Sequence, residues 1–214
     1  MAISLVPHAS SVGSGEVPRG SSHFWGFPDL QADIAYPVRR LADGDEDPLT
    51  FVCQLRCEEL APLDARGLLP HTGLLSFFAA VDEYLGMEPA DAACHAGIGE
   101  WASEAFRVIW SPDLTRLETH TILDADGAPY GLPAEPITFA PAEAGAYGHK
   151  VLGRPAYDEV AEQAGAGLLN LLQLDEEERW GLRFYDCGML HFLIREEDLR
   201  ARAWARVRCY MHSF

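Results

Sequence analysis

The chain has 214 residues, 48% of them hydrophobic and 23% charged, the make-up of an ordinary globular protein with room for one sizeable domain. Lys and Arg total 16 against 33 Asp and Glu, a formal net charge of -17; such a surface repels phosphate backbones and anionic headgroups, so nucleic acid and membrane surfaces are excluded as expected partners. No apolar run approaches the roughly 18 to 20 residues of a membrane-spanning helix, and the 5 cysteines, with no CxxC spacing, point to a reducing compartment and a cytoplasmic location.

Residues 1–21 lack the basic leader of a secretion signal and become rich in Ser, Gly and Pro, which predicts a flexible lead-in. A turn follows at Gly26-Phe27-Pro28, flanked by the apolar cluster Phe24, Trp25 and Phe27. The acidic run Asp43, Asp45, Glu46 and Asp47 reads as a solvated loop. Residues 51–55 form an apolar strand around Gln54, 58–63 a single helical turn, and Gly73 opens a second strand over 74–78. A strand at 106–110 stops at Ser111-Pro112, and residues 124–148, rich in Gly, Pro and Ala, read as a connection.

Beyond it the same order returns. Gly153-Arg154-Pro155 is a turn, 171–174 a strand ending on Gln173-Leu174, and Gly188 opens a strand over 189–193. Acidic residues trail each Gln strand, at Glu58-Glu59 and at 175–178. A short helix is predicted at 157–164 and another from Glu196 to Ala203, with acids on its first turn and Arg200, Arg202 and Arg206 toward its end, the polarity a helix dipole favours. Residues 207–211 read as a closing strand. The ordered recurrence predicts a single domain over 22–214 built from two pseudo-symmetric repeats, about 22–120 and about 148–214. The expected class is α+β, a mostly antiparallel β core with few short helices.

The segments that carry this recurrence, 22–30 (SHFWGFPDL), 49–60 (LTFVCQLRCEEL), 73–78, 148–155 (GHKVLGRP) and 168–199, resemble the YwqG-like family of bacterial proteins. In many members Trp-Gly-Asp precedes the glycine of the last strand pair; here the place reads Phe184-Tyr185-Asp186, with Trp180-Gly181 displaced upstream. The resemblance implies a cytoplasmic α+β protein with a duplicated core. It brings no catalytic residues, and it implies an immunity-type or other protein-binding role, because some members are encoded beside toxins.

Candidate residues follow from chemistry in unusual places. An amide in an apolar strand must find partners or lose about 1–3 kcal/mol, so Gln54 and Gln173 either fix register or face a ligand cleft with Asp186 and His191. Trp180 beside Glu176, Glu177 and Glu178 suggests an aromatic-plus-acid surface for a basic protein partner. Cys53, Cys57, Cys187 and His191 are soft ligands that pseudo-symmetry could gather around zinc, although buried free thiols are the simpler expectation and no metal or other cofactor is expected. Cys94 and His95 are adjacent and therefore diverge, a poor nucleophilic dyad. Lys150 is the sole lysine. The expected function is a non-catalytic binding protein recognising a basic partner through its acidic surface, toxin-neutralising in the form the resemblance implies. The alternative is a small-molecule-binding protein or enzyme with its site between the repeats.

Overall fold

The computed structural model describes residues 1–8, 17–41, 43–85 and 97–214. Repeat one supplies β2 (His23–Phe24), β6 (Thr50–Arg56), β7 (Leu74–Ala79) and β9 (Phe106–Ser111); repeat two supplies β12 (Lys150–Val151), β13 (Leu168–Asp175), β14 (Met189–Arg195) and β15 (Arg208–His212). Between them in space lie β1 (Ala2–Pro7) and β11 (Glu135–Ala142), and β8 (Gly99–Glu100) pairs with the outer edge of β15. Among the described residues these form one 11-stranded antiparallel sheet in the order β8-β15-β14-β13-β12-β1-β11-β2-β6-β7-β9. Two smaller antiparallel sheets pair β3 (Asp29–Gln31) with β10 (Leu117–Thr119) and β4 (Val38–Arg40) with β5 (Glu46–Pro48).

Apart from β8 the order is a palindrome about the β1/β11 pair. β1 precedes repeat one yet pairs with β12 of repeat two, while β11 precedes repeat two and pairs with β2 of repeat one. Each half therefore completes its sheet with the strand of the other. The two Gln strands even share an irregularity: the register shifts between Phe51 and Cys53 and again between Asn170 and Leu172, in both cases just before the glutamine. The sheet curls until Phe77 of β7 meets Phe192 of β14, ring centroids 5.3 Å apart, and its inner face fills with Leu55, Leu75, Leu172 and Leu190 into one core shared by both halves. Covering segments bury the outer face as well, which is why β7 and β14 read as near-continuous apolar runs.

Two expectations need correcting. The predicted lead-in contains β1, a central strand, because the alternation Ile3-Ser4-Leu5 turns Ile3 and Leu5 into the core; residues 9–16 of that lead-in lie outside the described residues. The predicted connection contains β11, whose Pro136 and Pro141 disguise it, since proline cannot donate to a ladder and argues against a central strand. The helices are α1 (Cys57–Leu60), α2 (Asp158–Ala164) and α3 (Glu196–Arg200). α3 stops short of Ala203, and Arg202 takes a positive φ of 56° before a 3-10 turn at Trp204–Arg206.

Both Gly-x-Pro turns start alike. Trp25-Gly26 and Leu152-Gly153 have φ of 53° and 72°, and of 62° and 76°. A Cβ on Gly153 would sit 2.4 Å from the Ala144 carbonyl oxygen. Gly153→Ala should thus cost at least about 2 kcal/mol, strain in the left-handed region plus the clash, read as a lowered midpoint in urea denaturation.

Candidate functional site

The two glutamines do the same job in each repeat. Gln54 is fully buried; its Oε1 accepts from the Asp29 N–H at 2.8 Å, and its Nε2 donates to the Ser21 carbonyl at 2.9 Å and to Asp29 Oδ2 at 2.8 Å. At the equivalent place Gln173 Oε1 accepts from the Ala156 N–H at 3.1 Å, and Nε2 donates to the Gly148 carbonyl at 2.8 Å and the Ala146 carbonyl at 3.2 Å. Each amide therefore ties its strand to both sides of the Gly-x-Pro turn. The glutamines are not brought together: β12, β1, β11 and β2 separate their strands in the sheet.

Repeat two surrounds its glutamine with a denser polar cluster. Across the sheet from Gln173 lie Lys150 on one side and His191 on the other. Lys150 is 0% exposed, and its Nζ donates to the carbonyls of Ala144 and Ala146 at 3.1 and 2.5 Å. Burial lowers this ammonium to about 8, helped by the Arg154 charge and opposed by Asp175. His191 donates from Nδ1 to Asn170 Oδ1 at 3.0 Å, Asn170 Nδ2 donates to Gln173 Oε1 at 3.2 Å, and the buried His191 Nε2 has no partner. Burial, with the Lys150 and His212 charges added, holds His191 down at about 3, so it is neutral. His149 is likewise held near 4 by burial; its Nδ1 accepts from the Asp175 N–H and its ring stacks on Trp180.

Asp186, expected beside His191, stands at the surface, where its carbonyl accepts from the Ser213 hydroxyl at 2.9 Å. The aromatic-plus-acid surface is a correction. Trp180 is only 4% exposed because its ring packs against Phe24, Trp25 and His149. Glu176 spends its Oε1 on the Phe184 and Gly188 N–H groups, and Glu177 holds Arg179, whose guanidinium keeps that carboxyl below its usual range. Of this run Glu178 is left exposed. Cys53 and Cys57 are buried and Cys187 is exposed, their thiols free, and no group of three or more His, Cys, Asp or Glu among the described residues is placed to share a metal. Cys94 and His95 lie outside the described residues.

A site the sequence reading missed lies on repeat one. The turn Trp25-Gly26-Phe27, the start of β6 and the segment 122–132 line an open-mouthed cavity of about 260 Å³. Its walls are mainly Trp25, Phe27, Tyr36, Phe51, Tyr130 and Leu132, and its polar groups include Thr50, Asp47, Asp82 and Asp124. The Thr50 hydroxyl donates to Asp82 and the Tyr36 hydroxyl to the Leu49 carbonyl at 2.8 Å. Burial and the Asp82 charge both push the Tyr36 and Tyr130 hydroxyls upward, which registers a negative field at these walls. The buried indole N–H of Trp25 has no partner. The sequence signal for this site was the Phe24, Trp25 and Phe27 cluster beside a turn; Tyr36, Asp82 and Tyr130 join it only through long-range folding.

The chain matches the family described as Domain of unknown function (DUF1963) over residues 22–142 and 118–212. The chain belongs to this family. The two matched stretches of the DUF1963 domain follow the two halves and overlap across β11, whereas β1 lies before both. A search of curated proteins finds no match to it. No helix among the described residues is long and apolar enough to cross a membrane.

Proposed function

We propose that this DUF1963 protein is a small-molecule-binding protein whose site is the aromatic cavity of repeat one. The observation that carries this reading is the cavity itself: apolar and aromatic walls with a few convergent polar groups are the usual make-up of a ligand site. Its volume of about 260 Å³ suits a compact ligand or group. The test is thermal-shift screening with small aromatic and aliphatic compounds. Stabilisation by a hit is expected to vanish in Ile122→Trp, which fills the cavity from a partly exposed covering segment; a shift that survives the substitution would place binding elsewhere and defeat the reading.

The net charge of -17 favours a second reading, recognition of a basic protein partner in the cytoplasm. The YwqG-like resemblance gives this reading its immunity-type form. An association that strengthens steeply as salt is lowered, with a one-to-one stoichiometry, supports it; a partner bound equally well at high salt counts against it.

A further inference from the structure

We propose that the chain carries a second ligand site, built on the Gly-x-Pro turn of repeat two, that takes a compact carboxylate with an apolar body. This site is separate from the aromatic cavity and does not depend on that reading. The turn Leu152-Gly153-Arg154, Leu169 of β13, Ile3 of β1 and the segment 63–68 line an open cavity of about 310 Å³. It is the counterpart of the first. Aligning the Gln strands on Gln54 and Gln173, each just after its register shift, matches Leu169 with Thr50, and aligning the turns matches Leu152, Gly153 and Arg154 with Trp25, Gly26 and Phe27. All of these residues line their respective cavities, so the duplicated unit makes the same hollow twice and the side chains give each copy its own chemistry.

Basic residues gather at the second cavity on a chain where they are scarce. Of the 16 Lys and Arg, Arg66 and Arg154 stand in the lining, while Lys150 donates to the carbonyl of Ala144 and Arg202 to that of Leu68, both of them wall residues. One lining guanidinium comes from each repeat. The neighbouring carboxylates are already engaged. Asp64, the acid among the described lining residues, accepts the Leu69 N–H on Oδ2 at 2.7 Å, and its charge favours the Arg202 cation. Glu196 holds Arg66 and Asp158 holds Arg154, each through one guanidinium nitrogen at 2.6 Å. Such surface pairs are worth about 0–1 kcal/mol, and each leaves the other N–H groups of the fork for a ligand. Arg154 is also seated: a Cβ on Gly145 would stand 2.8 Å from its Cζ and Nη2, so the guanidinium lies against bare backbone.

Walls and donors together define the ligand. Ile3, Leu63, Leu68, Leu152 and Leu169 offer an aliphatic surface, and a carboxylate fits the planar fork of arginine. A bare inorganic anion would leave the apolar walls uncovered, and a neutral hydrocarbon would leave the guanidiniums to water. A carboxylate on a short chain uses both.

The experiment is calorimetric titration of the full chain, at moderate salt, with hexanoate, with its neutral counterpart hexanamide, and with acetate, which lacks the apolar body. Hexanoate is expected to bind roughly tenfold or more tightly than either of the others. Arg66→Gln with Arg154→Gln should erase the preference for hexanoate over hexanamide, and both side chains reach the surface, so the fold has little to lose. Leu169→Trp, which fills the cavity, should abolish binding of both, whereas Ile122→Trp in the aromatic cavity should leave hexanoate binding unchanged. Equal affinity for hexanoate and hexanamide, or for hexanoate and acetate, overturns the proposal. So does a preference for hexanoate that survives the double arginine substitution or is lost in Ile122→Trp, because the anion is then met elsewhere. Silence from hexanoate overturns it without any variant, and the reading of the aromatic cavity stands or falls on its own screen.

Discussion

Replacing Gln173 by leucine is expected to lower the unfolding free energy by roughly 3–5 kcal/mol, measured by urea denaturation. The side chain is fully buried, and leucine would leave the Ala156 N–H and the Gly148 carbonyl without their amide partner, while the Ala146 carbonyl keeps Lys150. Each buried group so orphaned costs about 1–3 kcal/mol. Asn170, which donates to the same oxygen, would lose that contact too, and with it the ordered acceptor that His191 uses. Gln54→Leu should cost a similar amount through Asp29 and Ser21. A loss below about 1 kcal/mol in both variants would show that the amides do not hold the Gly-x-Pro turns.

Mild acid should destabilise the fold, and the cause can be assigned. Burial keeps His191 and His149 neutral in the folded chain, at about 3 and about 4, against 6.5 when unfolded. Between those values the unfolded chain takes up protons that the folded one refuses. Stability from this source is therefore complete above about pH 6.5 and falls as the pH drops, by about 1.4 kcal/mol per unit for each histidine, or about 2 kcal/mol each at pH 5. His23, lowered by its own burial, acts in the same direction. Asp175, raised by burial, opposes the trend, since its carboxyl is easier to protonate when folded. Among the described residues the charges that act on His191 are those of Lys150 and His212, neither of them a carboxylate, and Asn170, Gln173 and Tyr210 lie beside it. His191→Gln should make the unfolding free energy shallower in pH below about 6.5 by close to one proton's worth. An unchanged slope would mean that His191 is protonated, or exposed, well above its expected range.

Much of the architecture was legible because it was written twice. Gly-x-Pro turns and apolar strands around Gln54 and Gln173 recur in order, and an amide in an apolar run announces a buried, fully bonded position whatever surrounds it. β1 and β11 were harder: one is a short alternation at the start of the chain and the other is interrupted by prolines, so local pattern gives neither away and pairing with each other makes both. Trp180 misled for a related reason. Charged neighbours in sequence say little about a ring that turns inward onto Trp25 and His149. The cavity was nearly silent, since Tyr36, Asp82 and Tyr130 are ordinary residues in loops until the sheet gathers them. Trp25 and Phe27 alone hinted at it.

The exchange of β1 and β11 between the halves also fixes an order of events in time. β1 is synthesised before repeat one, yet its partners, Glu135–Ala142 and Lys150–Val151, are made far later. Until then β1 has no neighbour on either side, and repeat one must wait for β11 to cover the edge of β2. Contacts this distant in sequence slow folding, and an unpaired apolar strand is a template for aggregation. A nascent chain of this protein therefore carries β1 unpaired until residues 135–151 have been made, and closing the middle of the sheet is the step that ends the risk.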